Sequence, residues 1–180
     1  GETFPEMSNG FPIETKTSIN SIVVHPRDPD IAYVMTSLHE TETAIGIYKT
    51  TDGAQSWLPV NEGLDPYTND LQMDPINPDV LYAASESGVY KTIDGAKTWN
   101  KTSNGIPKGA VIDLAIDPLN PLVLYAITPE DVYRTRDGAG HWYPVNLGIP
   151  LLEDISKTLS VQERLIQQLA LDRTKTGHSM

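Results

Sequence analysis

Thr50-Thr51-Asp52-Gly53-Ala54-Gln55-Ser56-Trp57 returns as Thr92-Ile93-Asp94-Gly95-Ala96-Lys97-Thr98-Trp99 and again as Thr135-Arg136-Asp137-Gly138-Ala139-Gly140-His141-Trp142. The aspartates stand 42 and 43 residues apart. A fixed period in this range marks a repeat architecture. The same period argues against catalysis by these acids. An aspartate that recurs once per repeat belongs to the scaffold.

Two further patterns recur around this element. Upstream, Ile22-Val23-Val24-His25-Pro26-Arg27-Asp28-Pro29-Asp30-Ile31-Ala32-Tyr33-Val34 is matched by Leu71-Gln72-Met73-Asp74-Pro75-Ile76-Asn77-Pro78-Asp79-Val80-Leu81-Tyr82-Ala83 and by the run from Leu114 to Ala126. Each is an apolar run, a Pro-rich turn and a second apolar run. Apolar runs of four to eight residues bounded by Pro, Asn and Asp read as strands, and the prolines mark the turn. Immediately before each Asp-Gly, Gly46-Ile47-Tyr48-Lys49-Thr50, Gly88-Val89-Tyr90-Lys91-Thr92 and Asp131-Val132-Tyr133-Arg134-Thr135 alternate apolar and polar residues, as a half-buried strand does. Asp-Gly then signals a hairpin, and a fourth strand starts near each Trp. The pattern predicts an all-β chain of four-stranded antiparallel meanders, the blades of a β-propeller. Repeats fall at about 19–61, 69–103 and 110–147, giving three complete blades with partial blades at both ends.

The Thr-x-Asp-Gly-Ala-x-x-Trp elements resemble Asp-box (BNR) repeats, and the resemblance covers about residues 19–147. Sialidases, xyloglucan-active glycoside hydrolases, sortilin-type receptors and a photosystem II assembly factor carry such repeats, all on β-propellers. The chain departs from the family at Ala54, Ala96 and Ala139, where a second Gly is common, and at His141, where Ser or Thr is usual. The residue types explain the element. Asp52, Asp94 and Asp137 can accept backbone N–H bonds within their own turns. Gly53, Gly95 and Gly138 permit positive φ. Trp57, Trp99 and Trp142 can bury large apolar area between blades. All nine are read as structural. No second carboxylate stands beside the aspartates at ligand spacing and the four His residues form no ligand cluster, so neither a metal nor a cofactor is expected.

At the ends, Ser8-Asn9-Gly10-Phe11-Pro12 resembles Ser103-Asn104-Gly105-Ile106-Pro107, as if the chain opens on the tail of a preceding blade. Leu169-Ala170-Leu171-Asp172 resembles Leu114-Ala115-Ile116-Asp117, so residues 165–180 read as the start of a further blade and 148–164 as an insertion. A rival reading of this end is a helix. Ser160-Val161-Gln162-Glu163 is a capping-box pattern, and Val161, Leu165 and Leu169 would share one helical face. Three blades do not close a ring of four to eight. The terminal blades are therefore expected to expose apolar sheet faces and to associate, with remaining propeller blades or with themselves.

Strand alternation places the Asp-Gly turns on one face of the repeats and two longer segments on the other. Tyr33 to Tyr48 spans 15 residues where Tyr82 to Tyr90 and Tyr125 to Tyr133 span 8. Asp117 to Asp172 spans 55 where Asp74 to Asp117 spans 43. Insertions on one face often mark the binding face. Candidate ligand-face residues are therefore His39, Glu40, Glu42, Glu153, Asp154 and Lys157, against the plainer reading of solvated loops.

The formal net charge of −11, with only 13 Lys and Arg, disfavours nucleic acid. No apolar run reaches the length of a membrane span. There is no Cys, hence no disulfide framework. The absence of nucleophile–base motifs and phosphate loops favours a non-catalytic binding or assembly module with a protein or carbohydrate partner. The alternative is a fragment of a glycoside hydrolase, which needs two carboxylates about 5–10 Å apart. A xyloglucan-type enzyme suits the chain better than a sialidase, because Arg27, Arg134, Arg136, Arg164 and Arg173 are scattered. The resemblance alone favours an extracellular or periplasmic setting.

Overall fold

Each of the three repeats folds into one four-stranded antiparallel sheet with its strands in chain order, a β-propeller blade. The computed structural model describes residues 10, 17–38 and 44–145. Blade 1 is β1 (Thr17–Val24), β2 (Ala32–Leu38), β3 (Ala44–Thr50) and β4 (Leu58–Pro59). Blade 2 is β5 (Thr68–Met73), β6 (Leu81–Ser85), β7 (Gly88–Thr92) and β8 (Asn100–Lys101). Blade 3 is β9 (Asp113–Ile116), β10 (Leu124–Ile127), β11 (Val132–Thr135) and β12 (Tyr143–Pro144). Among the described residues there is no helix. All three blades lie in one compact unit that ends at Pro144.

The fourth strands start directly after each Trp and are two residues long. Pro59 and Pro144 lack a backbone donor, which suits an edge strand, and short edges resist pairing with other chains. The turns between first and second strands are built by Asp side chains. Asp28 Oδ1 accepts from Asp30 N, Asp74 Oδ1 from Ile76 N and Asn77 N, and Asp117 Oδ1 from Leu119 N and Asn120 N.

The core lies between blades rather than within them. The first strands β1, β5 and β9 neighbour one another in succession. Tyr33, Met35 and Ile47 of blade 1 pack on Leu71, Leu81 and Trp99 of blade 2, and Tyr82, Ala84 and Val89 of blade 2 pack on Leu114, Leu124 and Trp142 of blade 3. Trp99 and Trp142 therefore belong to the interface with the blade before them. Three glycines bring the backbones of this interface together. A β-carbon built on Gly10, Gly63 or Gly105 would lie 2.1, 2.3 and 2.0 Å from the carbonyl oxygen of Trp57, Trp99 and Trp142, and all three have positive φ. Gly10 thus stands to Trp57 as Gly63 does to Trp99.

The expectation of bare sheet faces at both ends holds only in part. On β1, Ile19, Ile22 and Val24 are exposed at 63%, 61% and 53%. Their counterparts at the same repeat positions are covered: Thr68, Leu71 and Met73 in blade 2 and Val111 and Leu114 in blade 3 are buried, and Ile116 is half-buried. Yet Val34, Tyr48 and Trp57, further out on blade 1, are buried, and so are Tyr125 and Ile127 on blade 3. Among the described residues the inner strand of blade 1 is more exposed than its counterparts, while much of the outer part of both end blades is covered.

Candidate functional site

The Asp-Gly corners are built alike. Thr50, Thr92 and Thr135 are buried, and each hydroxyl donates to the aspartate two residues on, at 2.8, 2.7 and 2.6 Å. The same hydroxyl accepts the N–H of Ala54, Ala96 or Ala139 at 3.0–3.2 Å. The other side of the carboxylate closes on the residue before Trp. Ser56 N and Oγ donate to Asp52, and Thr98 N and Oγ1 donate to Asp94. His141 has no hydroxyl to offer, and at this corner Gly140 N joins His141 N on Asp137 Oδ1, at 2.8 and 3.0 Å. Hydrogen bonds to the charged form hold these carboxyls below the usual aspartate range. The first cause is the Ser56 hydroxyl for Asp52 and the Thr135 hydroxyl for Asp137. For Asp94 it is the Thr92 hydroxyl, followed by Thr98, and the carboxyl lies at about 2.

Two consecutive residues turn left-handed at each corner. Gly53, Gly95 and Gly138 have φ of 67–70°, and Ala54, Ala96 and Ala139 have φ of 68–71°. Alanine tolerates this region poorly, at about 1–2 kcal/mol. Ala96 and Ala139 offset part of that cost by being buried between blades. The Gly N–H donates back to the turn of its own blade: Gly53 to Asp30 O, Gly95 to Asp79 O, Gly138 to Leu122 O. The corner and the first turn of each blade thus share one face.

The Gly carbonyl serves the neighbouring blade. Tyr33 and Lys49 are cross-strand partners in blade 1, and both donate to Gly95 O, at 3.2 and 3.1 Å. Tyr82 and Lys91 repeat this on Gly138 O, at 3.5 and 2.8 Å. Each ammonium also lies over its partner ring, 5.1 and 5.3 Å from the centroid. Burial, then nearby aspartates, pushes the phenols of Tyr33 and Tyr82 up to about 12, which keeps the hydroxyls protonated as donors. Burial pulls both lysines down, opposed by Asp79 and Asp94 for Lys49 and by Asp137 and Asp74 for Lys91.

His39, Glu40, Glu42, Glu153, Asp154 and Lys157 lie outside the described residues, as do the insertion at 148–164 and residues 165–180. Among the described residues, no three His, Asp or Glu side chains gather where an ion could be held.

One acidic pair escaped the sequence reading. Asp70 on β5 and Asp113 on β9 meet across the interface of blades 2 and 3, side chain to side chain. Leu114 N donates to both carboxyls, at 3.2 Å to Asp70 Oδ2 and 2.9 Å to Asp113 Oδ1, and Gln72 Nε2 donates to Asp70 Oδ2 at 2.9 Å. Burial first, then the charge of Asp70, pushes the Asp113 carboxyl up to about 6. The available signal was their spacing of 43 residues, one repeat, directly before Leu71 and Leu114. Carboxyls in hydrogen-bond contact are closer than the pair a glycosidase uses. The raised pKa fixes a sign. The folded carboxyl takes up a proton near pH 6 that the unfolded one, near 3.9, does not. Asp113 therefore opposes folding above pH 6, and that penalty is relieved as pH falls toward 4. In urea unfolding, Asp113→Asn should be more stable than wild type at pH 7.5, with the difference shrinking by pH 5. An unchanged difference would refute the raised Asp113 pKa as the source of the effect.

No protein-family model and no curated protein matches the chain. Solved structures do. An ancestral GH74 enzyme is similar with a TM-score of 0.56 and 18% identity, over 71% of this chain and 18% of that one. The GH74 enzyme of Niastella koreensis gives 0.56 and 15%, over 72% and 22%. A structure of YCF48 bound to D1 peptide gives 0.53 and 21%, over 72% and 40%. The likeness is one of fold, the β-propeller. The chain spans less than half the length of each of these structures.

Proposed function

We propose that the chain supplies three consecutive Asp-box blades, at about 19–61, 69–103 and 110–147, to a β-propeller that works as a binding or assembly module. The observation carrying this reading is the closure of the corners. Each aspartate is engaged by its own Thr hydroxyl and by the backbone three to four residues on, so it offers little to a substrate. The nine corner residues are accordingly scaffold. Recognition falls to the opposite face, with His39, Glu40, Glu42, Glu153, Asp154 and Lys157 as its side chains. The YCF48 structure with its bound D1 peptide supports a peptide as the class of partner for this fold.

A second reading is favoured by the likeness to GH74 enzymes: part of a glycoside hydrolase of xyloglucan type. Assaying the chain on xyloglucan oligosaccharides and sialosides separates the two. The binding reading expects no turnover. Turnover lost in Glu40→Gln or Glu153→Gln and retained in Asp94→Asn would overturn it.

A further inference from the structure

The link from one blade to the next makes the same turn at both internal junctions. Asn61-Glu62-Gly63-Leu64 and Ser103-Asn104-Gly105-Ile106 are each closed by one backbone bond, Leu64 N to Asn61 O at 3.0 Å and Ile106 N to Ser103 O at 2.9 Å. The second residue of each turn then receives the N–H of the next Trp: Trp99 N donates to Glu62 O and Trp142 N to Asn104 O, at 2.8 and 2.7 Å. The turns differ in the side chain that stands before Gly. A glutamate reaches the following backbone nitrogen only through a slow six-membered ring. An asparagine reaches it through a five-membered one. Asn104 and Gly105 are exposed, and among the described residues neither the Asn104 side-chain amide nor the Gly105 N–H has a hydrogen-bond partner. Gly105 also has no β-carbon to shield its nitrogen. The three Asp-Gly corners are protected on both counts. Their Gly N–H groups are bonded to Asp30 O, Asp79 O and Leu122 O. Their carboxylates are held ionised by hydrogen bonds, and an ionised carboxylate is a poor electrophile.

We propose that Asn104 is a site of spontaneous covalent modification, and that its isoaspartyl product loosens the junction of blades 2 and 3. Gly105 N gives its proton to base and attacks Asn104 Cγ. The new N–Cγ bond closes a succinimide as the Cγ–Nδ2 bond breaks, and the side-chain nitrogen takes up a proton and leaves as ammonia. Water then opens the ring at one of its two carbonyls. Opening at Cγ leaves an aspartate. Opening at the backbone carbonyl leaves an isoaspartate, whose main chain runs through Cβ and Cγ. The balance is one water in and one ammonia out. The aspartate keeps the length of the chain and the carbonyl that Trp142 N reaches. The isoaspartate adds one methylene to the main chain where there is no slack. Trp142 N bonds Asn104 O, Trp142 Nε1 bonds Thr102 O at 2.7 Å, and a β-carbon on Gly105 would stand 2.0 Å from the Trp142 carbonyl oxygen. At least one of these contacts to blade 3 gives way. The inference rests on the turn and is independent of what the module binds or whether it turns over a substrate.

Ageing the full chain in warm, mildly alkaline buffer and mapping its peptides by mass spectrometry with electron-transfer fragmentation tests this. The peptide carrying Asn104 should gain one mass unit. It should also accept methyl groups from S-adenosylmethionine through an L-isoaspartyl methyltransferase. Isomerisation at Asp52, Asp94 and Asp137 should be slower by about tenfold or more, because a Gly N–H bond and carboxylate bonds must break first. In urea unfolding, the aged isoaspartyl fraction should lose about tenfold or more in its folding equilibrium. Asn104→Asp holds the other product without the added methylene and should unfold as the wild type does. Asn104→Gln should gain neither mass nor methyl groups at this turn. An Asn104 that stays intact, corner aspartates that isomerise as fast, or an isoaspartyl fraction as stable as the wild type would overturn the proposal.

Discussion

Trp99→Ala should lower the unfolding free energy by about 3–5 kcal/mol, the range for removing a large buried aromatic. Trp99 is 3% exposed and packs against Tyr33, Met35 and Ile47 of blade 1. Its ring also holds the link between blades. The indole Nε1 donates to Val60 O at 2.9 Å, and its backbone N–H donates to Glu62 O at 2.8 Å. Truncation leaves a cavity at the interface and an unpaired carbonyl on the linker. Domains have about 5–15 kcal/mol in hand, so the variant sits near the limit of folding. Trp99→Phe keeps most of the ring and loses the indole hydrogen bond, and should cost about 1–2 kcal/mol. Urea unfolding followed by far-UV dichroism reads both. A loss for Trp99→Ala below that of Trp99→Phe would contradict an interface role.

Gly105→Ala is the second large effect. Gly105 has φ of +100°, and its added methyl would stand 2.0 Å from the Trp142 carbonyl oxygen and 2.9 Å from the carbonyl carbon. Retreat is blocked by the neighbouring bond from Trp142 N to Asn104 O, at 2.7 Å. The clash is backbone against backbone, so no rotamer relieves it. The expected loss is about 3 kcal/mol or more, conformational strain and displacement together. Gly109→Ala is the control. Its φ is +151° and a methyl there meets nothing within 4 Å, so it isolates the strain, at about 1 kcal/mol. Equal losses in the two variants would show that the contact with Trp142 is not what fixes Gly105.

The fold was legible because it is written three times. Period, strand alternation and Asp-Gly turns are local signals, and they place the three described blades. The short fourth strands follow from Trp and the nearby Pro59 and Pro144. Less legible was everything made by one blade upon the next. Tyr33 and Lys49 read as ordinary strand residues, and their shared target, Gly95 O, lies 62 and 46 residues away. Asp70 and Asp113 look like solvated residues at a strand start, until stacking brings two inner strands together and buries one carboxyl against the other. The bare faces were misjudged for a similar reason. Alternation names the side of a sheet but not what covers it: Ile19, Ile22 and Val24 are exposed as expected of an end, whereas Trp57, Val34, Tyr125 and Ile127 are covered.

The account depends most on the corner acids being fully occupied by their own turns. A carbon-13 NMR titration of the Asp94 carboxyl tests this at one atom. Its bonds from Thr92, Thr98 and the backbone predict a midpoint at about 2, so the group stays ionised across the whole range in which the protein is folded. A midpoint near the ordinary 3.9 of a solvated aspartate would contradict the account, because the carboxylate would then be open to a ligand.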